Sequence, residues 1–317
     1  MDADFASTPV AETNVPRRPP AGVWRQAWHR FRRNRAGMIG FCLVGLVVLT
    51  AIIGPFVAPY DPNDNAAMLR GAANAAPSAR NWLGTDRNGY DVLSRTIYGA
   101  PTALAVGLGA MLIASLIGVL VGGVAGYFGG FTDEALMRGA EFFMVVPVFV
   151  VILAVVRLFG IIVVGTPLER IPNFNLMTII LLLGLFSWPQ IARMTRAEFL
   201  RLRGREFVEA ALCQGESTAR IVLGHILPNA ISPILVVVSL TVATAILLES
   251  ALSFMGLGDP NLMSWGFMIG AGRTVIRQAW WMSVFPGLAI LITVLAINLF
   301  GEGLSDVLNP RVSRRRA

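Results

Sequence analysis

The chain contains no lysine, so all 26 of its basic side chains are arginine. A P-loop needs lysine to reach the nucleotide phosphates, which excludes nucleotide hydrolysis by this chain. Soft ligands are just as scarce. Cys42 lies in an apolar run and Cys213 in a polar one, and His29 and His225 stand in separate polar segments. Neither a disulfide framework nor a metal site can be assembled from them. Charged residues make up only 14% of the 317 residues against 55% apolar ones, with a mean hydropathy of +0.65. So few charges cannot solvate a soluble domain of this size, and the composition is that of an integral membrane protein. The apolar stretches hold no Ser/His set, paired aspartates or ligand cluster, which argues against a membrane enzyme such as an intramembrane protease.

What the sequence does have is long uncharged runs, and about 20 residues cross a 30 Å hydrocarbon core. Runs near 36–60, 102–126, 141–163, 175–196, 229–250 and 281–302 predict an all-α, polytopic protein with six transmembrane helices. The uncharged stretch 96–132 is long for one span, so Thr96 to Pro101 is expected at the interface ahead of the second helix. Pro147 in the third run predicts a kink.

Arginine placement predicts orientation. With the N-terminus inside, Arg17 to Arg35, Arg138, Arg193 to Arg220 and Arg311 to Arg316 hold 18 of the 26 arginines, so both termini and the loop 197–227 are expected in the cytoplasm. The net charge of +7 is then topological. No nucleic acid is expected as a partner, because the basic clusters abut spans rather than interleave with aromatic residues.

The chain divides accordingly. Residues 1–35 read as a cytoplasmic tail whose Trp24, Trp28 and Phe31, set among arginines, predict an interfacial helix on membrane lipid. Residues 36–60 form an uncleaved first span, and 61–101 an extracytoplasmic segment. A five-helix core follows at 102–302, with the loop 197–227, and 303–317 form a second cytoplasmic tail.

Between two apolar runs lies the polar stretch REFVEAALCQGESTARIVLGHILPNAISPI, beginning at Arg205. Phe207, Val208, Ala210, Ala211, Leu212 and Gln214 follow helical spacing, and Glu206 and Glu209 sit in the opening turn, where acids favour the positive helix end. Gly215 permits a turn, and Thr218 to Leu227 restarts the pattern before Pro228 and Pro233. The expectation is a helix, a turn and a helix lying at a membrane face. Glu209-Ala210-Ala211, three residues, Gly215, and then Leu227-Pro228 resemble the EAA signature of the permease subunits of ABC importers. One position departs from it: His225 stands where the family usually carries a β-branched residue.

Other segments resemble the dipeptide, oligopeptide and nickel permease family. They are NWLGTDRNGYDVLSRTIYGAP at 81–101, ESALSFMGLGDPNLMSWGFMIGAGR at 249–273, AGYFGG from Ala125, and Asn309-Pro310-Arg311. The N-terminal extension and Ala58-Pro59-Tyr60-Asp61-Pro62 are similar to the "C"-type subunit of that family. The likeness covers about residues 30–312.

The resemblance implies the type I ABC importer permease fold and a subunit, not itself an enzyme, of an ATP-driven importer of dipeptides or oligopeptides in a bacterial inner membrane. Implied partners are a homologous permease subunit, two cytoplasmic ATPase subunits and an extracytoplasmic solute-binding protein. Implied cofactors are none on this chain, with ATP and magnesium in the ATPases. Nickel, glutathione, haem and oligosaccharide are alternative cargoes, and a stand-alone channel or secondary carrier would have no use for the loop. Packing against the partner permease is the expected role of Gly107, Gly109, Gly118, Gly122, Gly123 and Gly126, because small residues admit a close neighbour.

Candidate site residues follow. Glu209, Ala210, Ala211, Gly215, Leu227 and Pro228 form the expected ATPase-coupling loop. Gly84, Asp86, Gly89 and Asp91 read as a turn capping a short helix from Tyr90 to Tyr98. Arg87 and Arg95 are expected either to pair with Asp86 and Asp91 or to touch a docked binding protein. Gly256, Gly258 and Pro260 before Trp265 read as a re-entrant segment, and Trp265 and Arg273 join the group that seals the outer side or meets the binding protein. Arg157 and Glu249, ionisable residues at the spans, are candidates for the solute path, with snorkelling for Arg157 and structural hydrogen bonding for Glu249 as the other readings. Arg138 and Glu141 are expected to anchor the inner end of the third span.

Overall fold

The computed structural model describes residues 28, 29, 31–62, 73–162 and 165–308. The expectations for residues 1–27, including Trp24, and for 309–317 lie outside the described residues. The helices are α1 (Arg35–Val57), α2 (Val92–Phe128), α3 (Gly130–Val145), α4 (Val148–Ile162), α5 (Phe174–Arg203), α6 (Glu206–Cys213), α7 (Leu227–Phe254), α8 (Trp265–Gly272) and α9 (Trp281–Leu308). Among the described residues there is no strand, only an isolated bridge between Thr85 and Asp91. Helices α1, α2, α5, α7 and α9 are each long and apolar enough to cross a membrane, and α3 with α4 makes a further span bent by 74°. The bend falls at Val146 and Pro147. Proline has no N–H for the ladder, and Val150 and Val151 both donate to the Pro147 carbonyl to begin the next helix.

Two expected boundaries are corrected. The second helix runs unbroken from Val92 rather than starting near 102, so Thr96 to Pro101 is helical and no separate helix ends at Tyr98. Pro101 removes one ladder bond, and the helix is held across it from outside: the Trp265 indole donates to the Thr96 carbonyl at 2.8 Å and the Tyr98 hydroxyl to the Pro55 carbonyl at 3.0 Å. Likewise the second half of the 205–234 stretch is not a separate helix. Thr218–Arg220 and a π-helical turn, Ile221–Ile226, run directly into α7. In the π turn the Leu227 N–H reaches back to the Val222 carbonyl, five residues away, and this wider turn accommodates Pro228 without breaking the helix.

The glycines of α2 face the chain's own helices rather than a partner subunit, which corrects the expectation for that seam. A Cβ on Gly118 would lie 2.7 Å from Ile191 Cβ, and one on Gly126 would lie 2.6 Å from Phe199 Cβ, both on α5. Gly107 abuts Val242 and Ile246 of α7. With no side chain to hold them apart, α2 and α5 approach backbone to backbone, and dispersion takes the place of the hydrophobic drive that lipid does not supply.

Helix α1 joins α9 the same way, with Gly37 against Gly303 and Gly40 against Leu299 and Phe300. Asn34 caps α1 through Gly37 N and donates to Asp306 at 3.1 Å. Phe31 is buried against Phe41 and Phe300, with ring centroids 6.1 Å away in each case. It therefore packs on protein rather than into a headgroup layer, while Trp28 remains half exposed and lies under the Arg32 guanidinium.

Three apolar clusters fill the bundle. One, at the α6 end, joins Ala140, Phe199, Leu202, Val208, Ala211, Ile221 and Ile226. A second, at the opposite end, joins Val92, Ala100, Trp265, Met268, Trp281 and Met282. Between them Ile152 and Val156 of α4 pack against Val106, Ile179, Leu183 and Leu252.

Candidate functional site

The α6 end is built as one unit. Glu206 and Glu209 lie in the first turn of α6, near its positive pole. Val208 and Ala211 are buried, while Phe207, Ala210, Leu212 and Cys213 face outward. The helix closes with a Schellman cap: Gly215 N donates to Leu212 O at 3.0 Å and Glu216 N to Ala211 O at 3.1 Å. That cap requires Gly215 in the left-handed region, at φ +75°. Of the residues expected to form the loop, Ala211 is buried, Leu227 half-buried, and Glu209, Ala210, Gly215 and Pro228 exposed.

Around this unit the fold recruits residues that the motif does not contain. Arg196 binds Asp133 of α3 with two bonds, the Nη2 contact being 2.6 Å. Arg203 donates to the Gly126 and Tyr127 carbonyls at 3.4 and 3.2 Å, capping α2 where Gly129 and Gly130, both at positive φ, turn the chain into α3. His225 Nε2 lies 2.8 Å from Glu216 Oε2. Arg196 and Arg203 were legible only as charges at a span end. Their seven-residue spacing, which places both on one helix face, is the signal that marks them as a pair.

At the opposite end a polar knot ties the 73–91 segment to α2 and α9. Asp91 caps α2, accepting from Ser94 N and Ser94 Oγ, each at 2.8 Å, and from Asn81 Nδ2 at 2.8 Å. Asp86 accepts from Asn88 N at 2.8 Å, Tyr90 N at 2.9 Å and Arg95 Nη1 at 2.7 Å. Burial raises the Asp86 carboxyl above the ordinary carboxylate range, against the pull of Arg95 and of the backbone donors Tyr90, Asn88 and Gly89. Arg95 also donates to the Pro62 carbonyl at 3.1 Å and lies 3.7 Å from the Tyr90 ring centroid. The Trp281 indole donates to the Thr85 carbonyl at 3.0 Å. Gly84, at φ +78°, leaves room for that indole. Asp86, Asp91, Arg95 and Trp265 are thus enclosed, while Arg87 and Arg273 stand in the open.

Glu249 and Arg157 part company. Glu249 is 2% exposed and accepts from Ser253 Oγ at 2.6 Å and Ser250 Oγ at 3.4 Å, with Ser264 as a further partner. Ser264 also caps α8, so Glu249 ties α7 to α8, the structural hydrogen bonding that was its other expected role. The expected re-entrant segment begins as a helix ending: Gly256, at φ +81°, closes α7 with the same cap geometry as Gly215, through Gly256 N to Ser253 O and Leu257 N to Leu252 O. Arg157 is exposed on α4, in a stripe with Val150, Ala154, Leu158 and Ile161, and has no hydrogen bond or ion pair among the described residues. Arg138 pairs with Glu134, exposed and four residues away, while Glu141 is exposed on the same helix. Among the described residues no cluster of metal-ligating side chains occurs.

These features define a multi-pass helical membrane protein with a packed amphipathic helix at one end and a hydrogen-bonded cap at the other. Residues 118–314 match the family described as binding-protein-dependent transport system inner membrane component, and residues 22–77 match the N-terminal transmembrane domain of oligopeptide transport permease C. The chain is 37% identical over 305 residues to the dipeptide transport system permease protein DppC of Bacillus subtilis, covering 96% of this chain and 90% of that one. It is 34% identical over 310 residues to the di/tripeptide transport system permease protein DppC of Pseudomonas aeruginosa, covering 94% and 97% respectively. The oligopeptide transport system permease protein OppC of Bacillus subtilis is 36% identical over 295 residues, with 92% of this chain and 91% of that one covered. In fold, the chain resembles a chain of the methionine ABC transporter MetNI in inward-facing conformations, with a TM-score of 0.54 at 20% identity over 68% of this chain and 96% of that chain. The chain belongs to the family of binding-protein-dependent transport system inner membrane components.

Proposed function

We propose that this chain is the membrane-spanning subunit of an ATP-driven importer of dipeptides or oligopeptides. It pairs with a homologous permease subunit, two cytoplasmic ATPase subunits and an extracytoplasmic binding protein, in a bacterial inner membrane with both termini inside. This chain binds no nucleotide; ATP and magnesium belong to the ATPases. The observation that carries the reading is α6, anchored from below by Val208 and Ala211, with Glu206, Glu209, Ala210 and Cys213 turned outward and Phe207 and Leu212 exposed along its two flanks. Such a short helix fits a groove on a partner, with Phe207 and Leu212 against its apolar walls and Glu206 and Glu209 meeting polar or basic groups between them. ATP binding draws the two ATPases together, the helix follows its groove, and the bundle switches access from outside to inside.

The other candidates take roles on the same reading. Asp86, Asp91, Arg95 and Trp265 seal the outer face, and Arg87 and Arg273 meet the binding protein. Arg157 faces the space between the two permease subunits. A guanidinium on an apolar stripe is costly against lipid and favourable beside water or a solute carboxylate. The test is a mild-detergent purification from the native membrane with mass spectrometry of what stays bound. Two ATPases, a second permease and a binding protein are expected, and recovery of the chain alone would overturn the assignment.

A further inference from the structure

The contact between Glu216 and His225 joins the end of α6 to the turn that leads into α7, and among the described residues no other side-chain hydrogen bond links these two segments. Glu216 follows the Gly215 cap directly and His225 sits in the π turn that leads into α7. Their side chains are 21% and 37% exposed, with Nε2 and Oε2 separated by 2.8 Å. Residues 217–220, which join them along the chain, are all exposed. The backbone around His225 is itself held, because Asn229 Nδ2 donates to the His225 carbonyl at 2.7 Å.

Beneath this contact, Val208 and Ala211 of α6 share one apolar cluster with Ile221 and Ile226. Apolar contact is non-directional, so it holds two helices together without fixing how one slides over the other. A hydrogen bond is directional and fixes the register. The π turn inserts an extra residue into the α ladder, and such turns are frequent at functional sites.

We propose that Glu216 and His225 are positioning residues: their contact straps the ATPase-facing helix α6 to the base of α7, so that a displacement of α6 becomes a displacement of α7. The proposal rests on the reading of α6 as the ATPase contact. Without the strap, α6 rocks on its apolar footing about the single glycine at 215 and part of its movement never reaches the membrane helices.

The test uses the assembled importer in proteoliposomes carrying His225→Ala, Glu216→Ala, the double variant and His225→Gln, with radiolabelled dialanine as the probe. Two quantities are read: dialanine taken up per ATP hydrolysed, and the distance distribution between spin labels at Leu212→Cys and at Leu240→Cys, exposed on α7, with Cys42 and Cys213 replaced by serine. Each single alanine variant is expected to lower uptake per ATP about fivefold, the equilibrium equivalent of one hydrogen bond, and to broaden the label distance, with ATP hydrolysis retained. The double variant is expected to lose no more than either single one, and His225→Gln, which keeps a donor facing Glu216, to restore most of the coupling. Unchanged coupling and label distance in His225→Ala, or losses that multiply in the double variant, would overturn the strap. A failure of the underlying reading looks different: in the wild-type complex, the ATPases would be absent or ATP would leave a Leu212→Cys label undisturbed.

Discussion

Replacing Gly126 by alanine tests whether the seam between α2 and α5 is an internal joint of this chain. The new methyl would stand 2.6 Å from Phe199 Cβ and 2.7 Å from the Arg196 carbonyl oxygen. Neither neighbour can rotate away, since one is the root of a side chain that is 1% exposed and the other is helix backbone. Carbon atoms rest at about 3.5 to 4.0 Å, so the helices must part by roughly 1 Å, and a gap of that size forfeits a quarter to a half of the dispersion along the seam. Overpacking of this kind costs about 1 to 3 kcal/mol, and the better helix propensity of alanine returns up to about 1 kcal/mol. Relative to a glycine-to-alanine change that gains the same propensity without the clash, the difference is about 1 to 3 kcal/mol, or roughly 2 to 12 °C of thermal midpoint at about 2 to 4 °C per kcal/mol. The assay is thermal unfolding of the purified protein in detergent, with Gly45→Ala as control because no atom lies within 4 Å of a Cβ there. If Gly126→Ala melts with the Gly45→Ala control rather than below it, the seam is not packed as described.

Asp86→Ala leaves the enclosed Arg95 without its carboxylate and is expected to destabilise by about 3 to 5 kcal/mol, with much of the loss recovered by adding Arg95→Met; thermal midpoints of the two variants decide. At Gly215 nothing would touch a new Cβ, so Gly215→Val acts only through the left-handed backbone, at about 1 to 2 kcal/mol, and should lower peptide uptake while the protein stays in the membrane. Normal uptake by that variant would sink the coupling role of the loop. Trp265→Phe keeps the ring and deletes the donor to Thr96, which predicts a loss of about 1 to 3 kcal/mol read as a lower melting temperature, with no change if Pro101 is bridged by other means. Arg157→Gln should reduce uptake of peptides with a free C-terminal carboxylate more than that of their amides, and equal reduction of both would remove Arg157 from solute contact.

The spans were legible because each is a run whose apolar content does not depend on what it touches. Their ends were not. Pro101 carries a strong local signal against helix, and the contacts that override it come from Trp265 and Tyr98, one of them 169 residues distant in sequence from its acceptor. The π turn at Ile221–Ile226 leaves even less trace, since its residues suit an α-helix equally well and only the packing of Ile221 and Ile226 together with Pro228 selects the wider turn. Glycines in α2 announced a close neighbour without naming it. A partner subunit and the chain's own α5 satisfy the same pattern, and only the fold decides between them.

The site shows a similar division between motif and support. Turn residues were readable because Gly215, Asp86 and Asp91 do local jobs: one adopts a positive φ, and the other two accept from backbone or side chains within ten residues. The arginines of α5 were readable only as charge, and charge decides which side of a membrane a loop occupies without saying what the guanidinium touches. In the fold, Arg196 holds the first turn of α3, Arg203 holds the last carbonyls of α2, and both lie within ten residues of the start of α6. The same residues that set topology in the sequence therefore fix the Gly129–Gly130 corner in the structure. That corner is the start of the bent span α3–α4, which carries Arg157. On the proposed reading, α6 therefore bears on the bent span through α5, by the apolar contacts of Val208 and Ala211 with Phe199 and Leu202 and then by the Arg196–Asp133 pair, beside the route to α7 through Glu216 and His225.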